Sequence, residues 1–291
     1  MSLEICILAS GSSGNCTLLR TRTGLMLIDA GLGPRMTQQR MKGTGCSLDD
    51  LAAICLTHLD ADHFRPSWLR FAVQRKVRVY CSNRCVDELI QRVRDAFADD
   101  LDAPVEAFCD LVSGFATNPF SPLPDLSIRP VAFAHDAAGS HGFVIECNSS
   151  RIGYATDLGK VPDHLINCFQ DLDILAMESN YDPGMQLASA RPWFLKQRIM
   201  GGAGHLSNEQ AFQAIQRIIE KAEQQQKRLP SHIVLLHRSR HCNCPIVMRK
   251  LFGRDPRIAQ RLTFAEQYKR SDWLRPAQGK PHIGEQLSLS F

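Results

Sequence analysis

The chain has 291 residues, with 34 Lys and Arg against 30 Asp and Glu, 44% apolar and 22% charged residues. That is a globular mix, which excludes a disordered chain, a collagen-like repeat and a coiled coil. No run of about 18 apolar residues is present, which excludes a membrane-spanning helix. The start, Met1-Ser2-Leu3-Glu4-Ile5, lacks the basic and apolar regions of a secretion signal. Eleven scattered cysteines in so long a chain read as reduced thiols, which suits a cytoplasmic protein. Charge is uneven: residues 226–291 hold 13 Lys and Arg against 4 Asp and Glu, a balance suited to a polyanion.

In chain order, Leu3–Ala9 and Leu25–Ile28 read as strands, separated by the polar Gly-Ser turn Ser10–Asn15. Ala52–Leu56 is a further strand, and Cys85–Phe97 a helix with its charged residues facing outward. Pro119–Pro124 holds three prolines in six residues and reads as a loop. Strand patterns return at Leu126–Phe133, Gly142–Cys147, Arg151–Ala155 and Leu172–Met177. Ser207–Gln226 is the clearest helix, opened by Ser207-Asn208-Glu209-Gln210 in the pattern of a capping box. Ile233–Leu236 is a short strand and Pro245–Phe252 a helix. The polar stretch after Arg270 reads as loosely ordered. Hairpin pairs mixed with strand–helix units predict an α/β chain with mixed sheets and helices outside. The expected organisation is a single domain over residues 1–265, followed by a polar, basic tail over 266–291.

The residues that carry chemistry cluster at Thr57-His58-Leu59-Asp60-Ala61-Asp62-His63, directly after an apolar strand. Imidazole and carboxylate both ligate divalent transition metals. Alternate residues of an extended segment point the same way, so His58 and Asp60 can share one metal. A following turn can aim Asp62 and His63 at a second. Four more ligand types end apolar runs: Asp29, His135, Asp157 and His237. Each alone is a common turn residue; together they form a ring of ligands on strand ends. Arg238-Ser239-Arg240-His241-Cys242-Asn243-Cys244 reads as a packed turn, rather than as a soft-metal site built from His241, Cys242 and Cys244.

This order of ligands resembles the metallo-β-lactamase-fold superfamily of metallohydrolases, over roughly residues 3–250. The resemblance implies a four-layer αββα sandwich of two mixed β-sheets flanked by helices. It implies one metal on His58, Asp60 and His135 and a second on Asp62, His63 and His237, with Asp157 bridging. Asp29 then orients a ligand histidine through its spare ring N–H. Leu8–Asn15, Glu178-Ser179-Asn180-Tyr181-Asp182 and Gly204-His205-Leu206-Ser207-Asn208 look like the YycJ/WalJ-type members, which are DNA exonucleases. The Gly-His-Leu-Ser element also resembles the tRNA 3′-processing and phosphodiesterase branch, which makes His205 a proton donor or phosphate contact. Asp60 departs from the superfamily's usual second histidine. A harder, more negative first site shifts preference from zinc toward manganese or iron.

The expected activity is therefore phosphodiester cleavage by a hydroxide activated on two divalent cations, zinc, manganese or iron. The reading favours a 5′-to-3′ DNA exonuclease, with Asp62 and His205 acting in the chemistry. Ser12, Ser13, Asn15, Asn180 and Arg238 are candidate substrate contacts. Arg191, Lys196, Arg198 and Arg240 suit a polyanion backbone, and Trp68, Phe71, Trp193 and Phe194 are candidate base-stacking rings. The expected partner is nucleic acid, DNA before RNA, and not a membrane. The competing readings are a small-molecule hydrolase on the same fold (cyclic phosphodiesterase, lactonase or thioesterase) and a metal-binding protein impaired by Asp60. With 79 residues between Asp157 and His237, the large cap domain of some nucleases has no room.

Overall fold

A computed structural model describes residues 3–135 and 139–277. Six strands form the first sheet in sequence order: β1 (Glu4–Ala9), β2 (Cys16–Arg20), β3 (Leu25–Ile28), β4 (Leu51–Cys55), β5 (Arg78–Ser82) and β6 (Val112–Phe115). The second sheet holds β7 (Phe120–Leu123), β8 (Leu126–Phe133), β9 (Ser140–Cys147), β10 (Ser150–Ala155), β11 (Ile174–Glu178), β12 (His232–Leu236) and β13 (Leu262–Phe264), again in order. Each sheet is mixed. Antiparallel hairpins occupy one side, and parallel pairs run from β3 to β6 and from β10 to β13.

The strands are apolar on both faces because both faces are covered. Side chains alternate across a strand. Ile5, Ile7, Met26, Ile28, Ile152, Tyr154, Ile174, Ala176, Val234 and Leu236 fill a core between the sheets. Their neighbours Cys6, Leu8, Leu25 and Leu27 pack outward with Trp68, Leu69, Leu89 and Val93. On the other side Leu175, Met177, Ile233 and Leu235 pack against Ala211, Ile215, Ile218 and Ile219 of the helix Asn208–Gln224. That is the four-layer αββα sandwich expected from the resemblance. The helix opens with the predicted capping box, Ser207 accepting from the Gln210 N–H and Gln210 from the Ser207 N–H.

Three expectations change. The proline-rich segment 119–124 is not a simple loop: Phe120–Leu123 forms β7 with Pro122 inside it. It is an edge strand with a register shift against β8, the setting in which a missing ladder donor is tolerated. The chain also does not loosen after Arg270. Ile5 and Leu274 exchange both backbone hydrogen bonds, and Ser271 N–H donates to Ile7. Residues 271–274 so line the free side of β1, with Leu274 buried in the central core; residues 278–291 lie outside the described ones. Trp68 is not a stacking platform. It is fully buried, with Phe71 packed edge-on against it.

The Trp68 indole N–H donates to Ala30 O (3.1 Å) and Leu32 O (2.7 Å), pinning the loop that leaves β3. Trp68→Phe removes this shared bond while Ala30 O keeps the Arg65 N–H (3.2 Å), at a cost of about 0.5–1.5 kcal/mol. We expect the urea midpoint to fall with an unchanged m-value. An unchanged midpoint would remove this role.

Candidate metal centre

The parallel strands of both sheets end along one edge of the sandwich, and the chain carries its ligand-type residues just beyond those ends. Asp29 follows β3, His58 β4, Asp157 β10 and His237 β12, while Glu178 is the last residue of β11. Asp29, Asp157 and His237 have φ of 60°, 54° and 52°. Left-handed backbone is uncommon outside glycine, though Asp and His tolerate it better than most. It costs about 1–3 kcal/mol per residue. Here it coincides with three strand ends whose side chains converge.

Asp29 is the anchor. Its carboxylate accepts from the Thr57 N–H (2.9 Å), the Thr57 hydroxyl (3.0 Å) and His63 Nδ1 (2.8 Å). Because the Thr57 hydroxyl has one hydrogen, and Asp29 takes it, the oxygen accepts from His58 Nδ1 (3.0 Å). His135 Nδ1 donates to Gly204 O (2.9 Å). Nδ1 of His58, His63 and His135 is thus committed to protein groups, so a metal bond to any of these rings falls to Nε2. His63 Nε2 lies 3.0 Å from Asp157 and 3.8 Å from Asp62. His237 Nε2 lies 3.3 Å from Asp62, and its Nδ1 3.2 Å from Asp157. His58, His135 and Asp157 bring ligand atoms within 4.8 Å of one another, and so do Asp62, His63 and His237. Asp60 stands at the rim. It is half-exposed, with Oδ2 at 3.7 Å from His58 and 4.0 Å from His135.

The donor set fits divalent cations. His58 Nε2 is buried with no hydrogen-bond partner, although a buried nitrogen of this kind is costly to leave unpaired. Asn15 Nδ2 donates to Asp62 Oδ2 (3.2 Å) and lies 2.9 Å from His63 Nε2, which ties the first turn to these two side chains. The carboxylates dominate the field. Burial alone would lower the pKa of His63 and His237, but Asp29 and Asp157 raise the first well above the usual range. Asp157, Asp62 and Glu178 carry the second to about 10. The same negative field attracts a metal ion. His58 moves the other way, lowered by burial and by its neighbour His63.

Glu178 carries no assigned role in the sequence reading, although it opens the recognised Glu-Ser-Asn-Tyr-Asp run. It is fully buried and accepts from the Leu158 and Leu206 N–H groups. It also holds His205 Nδ1 at 2.7 Å and His237 Nδ1 at 3.2 Å. Its signal was a lone carboxylate ending an apolar strand, the pattern already shown by Asp29 and Asp157. His205 has the Glu178 carboxylate within bonding distance, and its pKa is raised: burial opposes protonation and Glu178 overrides it.

A cleft of about 270 Å³ opens over the cluster, lined by Ser12, Asp60, Arg191, Arg198 and His205 among others. A larger hollow of about 720 Å³, lined by Arg35, Gln38, Lys42 and Cys46, shares no residue with it. Of the candidate substrate contacts, Ser12 faces the cleft and Ser13 the hydroxyl of Tyr268 (3.4 Å). Asn15 and Asn180 are buried and bonded inward, Asn180 to His237 O at 2.8 Å, which makes them supports of the ligand loops. Arg238 is half-buried, with its Nε unpartnered. Arg198 lies on the helix Trp193–Met200, and Trp193 and Phe194 on the same helix are 62% and 72% exposed. Cys242 is fixed in a turn by Ser239, and His241, Cys242 and Cys244 belong to none of the ligand groups among the described residues.

A sequence family described as the beta-lactamase superfamily domain matches residues 25–233. The chain belongs to that superfamily. It is a metal-dependent hydrolase by class. Exodeoxyribonuclease YycJ of Bacillus anthracis is 26% identical over 239 residues, covering 82% of this chain and 83% of that one. Exodeoxyribonuclease WalJ of Streptococcus pneumoniae serotype 2 is 27% identical over 215 residues, covering 73% and 76%. In structure the chain is similar to the metallo-β-lactamase fold protein YhfI from Bacillus subtilis, with a TM-score of 0.66 at 16% identity, covering 94% of this chain and 100% of that one. Among the described residues no helix is long and apolar enough to cross a membrane.

The loop that carries His58–His63 is seated by one close backbone approach. A Cβ on Gly31 would lie 1.8 Å from Asp62 O, and Asn15 N–H donates to that same oxygen (2.6 Å). Gly31→Ala must push the His58–His63 loop away. We expect metal affinity to fall about 10-fold or more in chelator competition, in line with losses on disturbing groups that support ligands. Unchanged affinity would show that the loop is not held there.

Proposed function

We propose that the protein hydrolyses phosphodiester bonds in nucleic acid, as a cytoplasmic 5′-to-3′ DNA exonuclease. The observation that carries this reading is His205, placed at the mouth of the ligand cluster and bonded through Nδ1 to the buried Glu178. Similarity to the two exodeoxyribonucleases supports the substrate class.

In this reading His58, His135 and Asp157, with Asp60 beside them, would hold one cation, and Asp62, His63 and His237 would hold the other; the Asp157 carboxylate also faces His63 and His237. When bound, zinc, manganese or iron would supply Lewis acidity toward a phosphate oxygen and the attacking water. The chain's own residues do the rest. Asp62 orients the attacking water and accepts its proton. Glu178 fixes the His205 tautomer and keeps its imidazole charged to higher pH, so Nε2 can give a proton to the leaving oxygen. Arg191 and Arg198 line the cleft, where guanidinium groups suit phosphate oxygens. The modest cleft volume also suits a small cyclic phosphodiester, which is the second reading.

Linear DNA labelled at its 5′ phosphate and incubated with manganese, zinc or chelator tests the proposal. Metal-dependent release of nucleotides from the 5′ end is expected. Turnover of a cyclic phosphodiester, with no release from any DNA or RNA end, would favour the second reading.

His205→Ala is expected to slow cleavage about 10²-fold or more, the scale of a lost general acid. Because the protonated imidazole is the active form, activity falls as pH rises through its raised pKa. Glu178→Gln removes the carboxylate that raises it, and the alkaline limb of the rate profile should move to lower pH. A limb at the wild-type position would separate His205 from the proton transfer.

A further inference from the structure

Beyond the Ser12–Ser13 turn lies a second pocket of about 210 Å³, lined by Ser13, Leu32, Met36, Arg40, Arg65 and Tyr268. We propose that this pocket is a subsite for the nucleotide adjoining the scissile phosphodiester, with its base against Tyr268 and its phosphate on the surrounding arginines. The inference rests on the nucleic-acid reading above and adds where the strand continues past the metal cleft.

Three observations carry it. The first is charge. Arg40, Arg65 and Arg240 have no carboxylate within ion-pair distance among the described residues, whereas Arg70, Arg75, Arg92 and Arg217 each have one. Arg65 is braced by backbone, through Gly31 O and Ser13 O. Arg40 Nη1 is buried and bonded to no protein group. Guanidinium groups brought together without acidic partners are a poor use of surface charge and a good fit for phosphate oxygens.

The second is the ring. Tyr268 is 57% exposed, yet its hydroxyl is held by Arg240 Nη1 (2.8 Å) and Ser13 Oγ (3.4 Å). The Arg240 guanidinium sits 5.0 Å from the ring centroid. An aromatic face fixed in position but open to solvent suits a base, and stacking needs no sequence readout. Leu32 and the 43%-exposed Met36 give the pocket an apolar wall.

The third is continuity. Ser12 lines the metal cleft and Ser13 lines this pocket, so one turn separates them. The turn is rigid: Asn15 Oδ1 accepts from the Gly11 N–H (2.8 Å), and Gln267 Oε1 from the Ser13 N–H (2.8 Å). Gln267 adjoins Tyr268, so the segment carrying the ring is tied to the wall of the metal cleft.

The test uses the full chain and the variants Arg40→Gln, Arg240→Gln and Tyr268→Ala. Binding of a fluorescein-labelled single-stranded oligonucleotide is followed by anisotropy across a salt series. Each arginine removed should reduce the slope of log K against log salt by about 0.7. Tyr268→Ala should weaken binding roughly 10-fold, within the range for one stacked base. Hydrolysis of bis(p-nitrophenyl) phosphate, which is too short to reach the second pocket, reports on the metal cleft alone. Wild-type slope and affinity in all three variants would overturn the subsite. Equal losses on the oligonucleotide and the small diester would also overturn it, by pointing to a disturbed cleft. A wild type that hydrolyses the small diester but neither binds nor degrades oligonucleotides would instead overturn the nucleic-acid reading, and the subsite with it.

Discussion

The structure depends on negative charge gathered where water is nearly absent. Asp29, Asp157 and Glu178 are almost fully buried, and Asp62 lies beside them. Buried carboxylates are costly unless paired. Here the pairing is mutual with His63, His205 and His237, whose pKa values all rise in response. The sandwich is what makes this concentration possible. Each sheet contributes parallel strands that end at the same edge, so residues far apart in sequence meet there, three of them (Asp29, Asp157 and His237) as single left-handed residues.

The carboxylates divide the work by depth. Asp29 lies beneath the ligand loop and fixes Thr57 and His63 directly, and His58 through Thr57. Glu178 lies beneath the opposite wall and fixes His205 and His237. Asp157 stands between, within 3.4 Å of His63, His205 and His237. A ring of histidines so braced is held in orientation by the protein's own groups, which is the condition for electrostatic preorganisation.

Much of this was legible in the sequence because burial on both faces gives strands as unbroken apolar runs, and a polar residue ending such a run stands out. Asp29, His135, Asp157 and His237 were visible for that reason. The Thr-His-x-Asp-x-Asp-His run was visible because so many ligand types rarely crowd one loop. Glu178 ends a strand in the same way, but one carboxylate in sequence says nothing about which histidines it will meet. Trp68 reads as a stacking ring because an indole in sequence has no face; only packing shows that its N–H is spent on Ala30 and Leu32. β7 is masked in the sequence by Pro122 and by the prolines that flank it, Pro119 and Pro124, and it forms at the sheet edge, where Pro122's missing ladder donor is tolerated. Tyr268 gave no signal, since the pocket it closes is assembled from the first turn, a helix and the chain's far end.

Metal content is the most direct test of the claim that this charge is organised around two cations. The wild type and Asp157→Ala would be loaded with manganese or zinc, desalted and measured by inductively coupled plasma mass spectrometry. The account predicts two ions per wild-type chain. It predicts the loss of both in Asp157→Ala, because this carboxylate faces His63 and His237 as well as His58 and His135. A wild type that retains no metal, or an Asp157→Ala variant that retains two ions, would contradict it.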